Sequence, residues 1–218
     1  MKILATNLFV ERSVADLDWV LYILVTSMAL VAIGRVLFNN NFESLNKFEK
    51  FQEVNDNQRL FGLLFQFVFA LLISALALNY FTEEYDFLLN TPLLKVVFLS
   101  SCILLFFGIR SILGKVASFA FGISHDRSFN AKAFNYFRVH SVALLWVGVL
   151  LFYFSSLHQL ILAATLLFFL LLIRIVAYYT VMNHQEVKQS KIWYYNILYL
   201  CALEILPLLV LFKFLNIW

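Results

Sequence analysis

The chain predicts an all-α integral membrane protein, and three observations carry that prediction. Hydrophobic residues fill 63% of its 218 positions and charged residues 13%, where a soluble domain has about 45–50% and about 25%. Six apolar runs each approach the roughly 20 residues that a helix needs to cross a hydrocarbon core about 30 Å thick. Lysine and arginine collect in alternate connectors, the asymmetry that orients membrane proteins. At a mean hydropathy of +0.86, no soluble core of this size could hide so much Phe and Leu. Residues 1–218 read as a single integral membrane domain.

The spans fall near 17–38, 60–81, 93–114, 138–156, 159–180 and 192–214. Each must be a helix, because a lone apolar strand leaves its backbone groups unsatisfied in lipid. Residues 1–16 form a short polar head, broken too early by Glu11 and Arg12 for a cleavable signal, so the first span acts as its own insertion signal. The connector 39–59 places Phe42, Leu45, Phe48 and Phe51 every third residue among Lys47, Glu49, Lys50 and Glu53. That spacing predicts an amphipathic interfacial segment that hides its own phenylalanines, with a docking surface as the second reading. The connector 82–92 is acidic (Glu83, Glu84, Asp86) and closes with Pro92, which starts the third span because a first helical position needs no N–H. The connector 115–137 is basic (Lys115, Arg127, Lys132), with Phe119, Phe121 and Phe129 as interfacial contacts. Ser155 to His158 make a tight hairpin, and residues 181–191 form the last connector.

Orientation follows from the cations. The connectors 39–59, 115–137 and 181–191, with the helix ends that lead into them, hold twelve of the sixteen lysines and arginines, while 82–92 and 155–158 hold none. The positive-inside rule puts the three basic connectors in the cytoplasm and both termini outside. The odd spans share a short phrase ending in arginine, at Gly34-Arg35, Ile109-Arg110 and Ile173-Arg174, a faint sign of three related hairpins. Cys102 and Cys201 lie in apolar runs and read as small hydrophobes, not a disulfide pair. No basic patch suits nucleic acid.

The residue that stands out chemically is Glu204, within the last span and three residues before Pro207. At 1.5 Å per residue it lies roughly 18 Å from the cytoplasmic entry, near the midplane. Acids at that depth are costly and face the bundle interior, and burial favours the protonated form. Pro207 leaves the carbonyl of Leu203 without its usual donor, so acid and carbonyl together make a candidate proton or cation site. Thr26, Ser27, Ser74, Ser100, Ser101 and Thr165 fall at similar depth and define a candidate polar layer; the competing reading has each hydroxyl bonding its own helix. Arg35 and Arg110 read as anchors snorkelling to the cytoplasmic surface. Arg174 reads the same way, and is also the best-placed counter-ion for Glu204. His125-Asp126 and His184-Gln185-Glu186 lack the further ligands that a metal needs, and no motif implies a cofactor.

The segment Leu198 to Leu208, with Leu203-Glu204-Ile205-Leu206-Pro207 at its core and Lys213 beyond, resembles the C-terminal signature of an uncharacterised integral membrane family of Bacteroidota, a domain of unknown function. The resemblance extends over the interfacial first connector and the arginine late in the fifth span. It implies the bacterial inner membrane, and supplies no substrate and no catalytic residue.

Three functions compete on this evidence. A non-enzymatic subunit or assembly factor of an envelope machine, with a protein partner or a second copy beside it in the bilayer, suits the 25 phenylalanines and the lack of a catalytic motif. A small proton- or cation-linked transporter or channel would use Glu204 beside Pro207. A lipid-modifying enzyme would rest on His125 and His184 alone.

Overall fold

The computed structural model describes residues 17–46, 58–78, 91–120, 126–155 and 158–184, and every regular element among them is a helix. In chain order these are α1 (Asp18–Leu37), α2 (Asn39–Asn46), α3 (Gln58–Ala77), α4 (Pro92–Ala120), α5 (Asp126–Phe154) and α6 (Gln159–His184). Four contain stretches long and apolar enough to cross a membrane: Asp18–Leu37, Arg59–Ala77, Pro92–Ile112 and Phe134–Phe154. In α6 the described apolar stretch is shorter, Ile161–Ala177. The polar head 1–16 and the expected sixth span 192–214, with Glu204 and Pro207, lie outside the described residues.

Local chemistry sets several of the boundaries. Pro92 opens α4 as its sequence position predicts. The Thr91 carbonyl accepts the Lys95 N–H at 3.2 Å, and the Thr91 hydroxyl oxygen accepts the Leu94 N–H at 3.4 Å. This meets two of the donors that a helix start leaves open. At Phe38 the chain turns between α1 and α2, with the Phe38 N–H held by the Gly34 carbonyl at 2.9 Å. Phe42 of α2 then swings into the bundle, its ring 5.3 Å from Phe61 and 5.4 Å from Phe65. The first described part of the amphipathic connector thus covers the end of α3.

Two helices run well past the apolar stretches that predicted them. α4 extends to Ala120 and α5 begins at Asp126, so most of the stretch 115–137 is helical. Hydropathy locates the lipid, whereas a helix continues into the interface until a breaker stops it. Lys115 to Ala120 contains neither Pro nor Gly.

The core forms around α3 and α5. α3 packs on α1, α4 and α5, and α5 packs on α6. Phe61, Phe65, Val68, Leu72, Leu145, Val149 and Phe152 are fully enclosed between them. Within the apolar windows, 56% of α3 is buried but only 11% of α4. The bundle therefore has one wrapped helix and several that turn a broad apolar face outward.

Close approach depends on small residues. A Cβ on Gly148 would meet Leu166 Cδ2 at 2.7 Å, so only glycine lets α5 and α6 lie this near with Leu166 as it stands. At the far end of the bundle from the arginines, the Tyr153 hydroxyl donates to the Ala75 carbonyl at 2.6 Å, and Trp19 meets the Tyr153 ring edge-on at 5.2 Å. Ala75 lies in the last turn of α3, where carbonyls lack an intrahelical partner. Tyr153 supplies the missing donor from a neighbouring helix.

Candidate functional site: three arginines on one phenylalanine

The arginines gather at one end of the apolar stretches. Arg35 is two residues from the end of α1 and Arg59 opens the stretch of α3. Arg110 lies two residues before Ile112, where α4's stretch ends, and Arg174 three before Ala177 in α6. In α5 the stretch starts at Phe134, with Arg138 one turn further in.

Three of these side chains converge. The guanidinium carbon of Arg174 lies 4.1 Å from the centre of the Phe134 ring, that of Arg110 4.6 Å and that of Arg138 5.6 Å. Arg174 also sits 5.0 Å from the Phe137 ring. Phe134 and Arg138 are neighbours because residues four apart share a helix face. Arg110 and Arg174 arrive from the flanking helices α4 and α6. All four residues are half-buried.

Each contact with the ring is a cation–π attraction, worth about 0.5–1 kcal/mol when exposed and about 2 when desolvated. Like charges gathered at one ring also repel one another. The ring's quadrupole lowers the cost of holding three cations together.

The neighbourhood on α3 is built to hold Arg138. One of its Nη1 hydrogens goes to the Gly62 carbonyl at 3.2 Å. A Cβ on Gly62 would sit 2.7 Å from the Asn135 amide oxygen and 3.2 Å from Arg138 Nη1. Asn135, Gln66 and Ser141 are buried on the same pair of helices, and the Ser141 hydroxyl has no hydrogen-bond partner. One turn on from Tyr136, the His140 ring stacks on the Tyr136 ring at 4.1 Å, with Nδ1 2.9 Å from the Tyr136 carbonyl.

The six hydroxyls of the candidate polar layer are all described, and each donates to its own helix. Thr26 reaches the carbonyls of Tyr22 and Ile23, Ser27 that of Leu24, and Ser74 that of Ala70. Ser100 and Ser101 share the Val97 carbonyl, and Thr165 takes that of Leu162. Arg35 is exposed, whereas Arg110 and Arg174 turn onto Phe134. Glu204 and Pro207, with His125 and the side chain of His184, lie outside the described residues. Among the described residues, no group of three or more His, Cys, Asp or Glu could hold a metal ion.

Phe134, Asn135 and Arg138 stand out in the sequence only through one positive charge. The signal that finds them is positional: an arginine near the same end of three consecutive spans, with an aromatic one turn away on the middle one.

Taken together, the described residues form an all-helical assembly whose long apolar helices suit a membrane, with a cationic node at one end. The chain matches the family described as a domain of unknown function (DUF4271) over residues 19–215, and it belongs to that family. No curated protein and no solved structure matches it.

Proposed function

We propose that this protein is a six-span component of the bacterial inner membrane that works as a non-enzymatic subunit or assembly factor of an envelope machine. In this reading the arginine-rich end faces the cytoplasm and both termini face the periplasm, as the positive-inside rule requires. The supporting observation is the outward face of α4. Ser101, Leu105, Gly108 and Ile112 recur there at helical spacing, with Leu105 67% and Ile112 61% exposed and open space beside Gly108. Small residues alternating with branched ones let a neighbouring transmembrane helix approach closely. Lipid alone makes no such demand. A photo-crosslinker at Leu105 of the full chain, in native membranes, should give one recurrent protein adduct, either a distinct subunit or a second copy. A crosslinker at Leu167 on α6 should not. Lipid adducts alone at both sites would remove the reading.

A transport role keeps one supporting observation. Arg174 lies over Phe134 within the bundle, which offers a cation to an acid on the last span. Proton or cation flux through reconstituted protein should then fall at least tenfold with Glu204→Gln. Equal flux would take Glu204 out of the mechanism.

A further inference from the structure

We infer that Arg110, Arg138 and Arg174 together bind one phosphate group, the headgroup phosphate of an anionic phospholipid or a soluble phosphate. The first support is convergence: side chains from three separate helices meet at 4.1, 4.6 and 5.6 Å from one ring. No two of the guanidinium carbons are farther apart than the sum of their distances to that ring.

The second support is the direction of the donors. A guanidinium stacked on an aromatic ring spends its face on the contact and keeps its N–H groups in its own plane. Three such forks gathered at one ring bring more donors together than a planar carboxylate can take up, a number that suits the several oxygens of a tetrahedral oxyanion. Each guanidinium carries five N–H donors, enough to serve a phosphate beside any other partner. Arg138 commits one of its own to the Gly62 carbonyl, which fixes the middle fork in place.

The third support is depth. The cluster lies within about one turn of the ends of the apolar stretches of α4, α5 and α6, so in a bilayer spanned by these helices the guanidinium groups are within snorkelling reach of lipid phosphates. Beside it, Ile109 on α4 and Ile175 on α6 are exposed. A lipid whose phosphate occupied the cluster would lay its acyl chains along these side chains.

The full-length protein in mild detergent decides the matter. Retention of phosphatidylglycerol and of a phosphate-free glucosyl diacylglycerol with the same acyl chains is measured by native mass spectrometry. Stabilisation by inorganic phosphate, against chloride at equal ionic strength, is read from tryptophan fluorescence on heating. Retention of phosphatidylglycerol at least tenfold above the phosphate-free lipid identifies a lipid phosphate. Stabilisation by inorganic phosphate with no lipid preference identifies a soluble one. If neither occurs, the inference is wrong.

Arg110→Gln and Arg174→Gln should each abolish the preference, while Arg35→Gln, an exposed arginine at the same end, should leave it intact. Equal loss with Arg35→Gln would reduce the effect to general surface charge and overturn the site. Should the glutamine variants misfold, Arg110→Lys and Arg174→Lys keep the charge but not the fork. They should bind about tenfold more weakly, and undiminished binding would refute a guanidinium site.

Discussion

Gly62 shows how closely the cationic node depends on single atoms. Its missing Cβ is the space that the Asn135 amide oxygen occupies, and its carbonyl accepts from Arg138. Asn135 is a short, buried side chain and has little room to retreat. Gly62→Ala should therefore destabilise the protein by about 1–3 kcal/mol, the range for an overpacked core, and reversible unfolding in bicelles would measure it. A polar contact across the membrane is worth less. Tyr153→Phe removes the hydrogen bond to the Ala75 carbonyl and should cost about 0.6 kcal/mol, and at most about 1.7, by the same assay. A larger loss from Tyr153→Phe than from Gly62→Ala would mean that hydrogen bonding, not close packing, holds α3 to α5. At this scale the sequence is only partly legible. The hydroxyls at 26, 27, 74, 100, 101 and 165 are plain in it, but what they bond depends on rotamers that no spacing reveals. The arginine cluster is hidden for another reason: three side chains on three helices meet only once the phase and tilt of each helix are set by packing.

Among the elements, α5 joins the others. It packs on α3 and α6, carries Phe134 and Arg138 at one end and Tyr153 at the other, and meets α6 at Gly148. The atoms facing Gly148 are the tips of a leucine, which can rotate away, so Gly148→Ala should be mild. Gly148→Leu cannot be absorbed that way and should widen the α5–α6 spacing, a change that spin labels on the two helices would read as a longer distance. Unchanged spacing would show that α6 is held by something other than this contact. The five long helices were legible from hydropathy because lipid demands a continuous apolar run. Their ends were not, since the stretch from Asp126 to Lys132 is polar yet helical. A window that detects lipid does not detect hydrogen bonds beyond it.

For the whole molecule, the distribution of apolar surface separates a centre from a rim. α3 is wrapped by its neighbours, while α1, α4 and α6 face outward with rows of Leu, Ile, Val and Phe. In water such a surface would drive aggregation, and in a bilayer it is the surface that lipid and partner helices require. The hydrophobic composition made this much legible. Composition alone did not distinguish lipid from partner, because both accept apolar side chains and only the placement of small residues separates them.

The alternation of arginine-rich and arginine-poor ends is the feature on which orientation, the role of the node and the parity of the spans all depend. It is tested most directly by cysteine labelling of the full chain in intact spheroplasts, with Cys102→Ser and Cys201→Ser as background. A membrane-impermeant maleimide should label Glu84→Cys and Asn216→Cys from outside, and reach Lys132→Cys and Lys188→Cys only after lysis. Labelling of Lys132→Cys before lysis, or protection of Asn216→Cys, would contradict the six-span arrangement with its arginines in the cytoplasm.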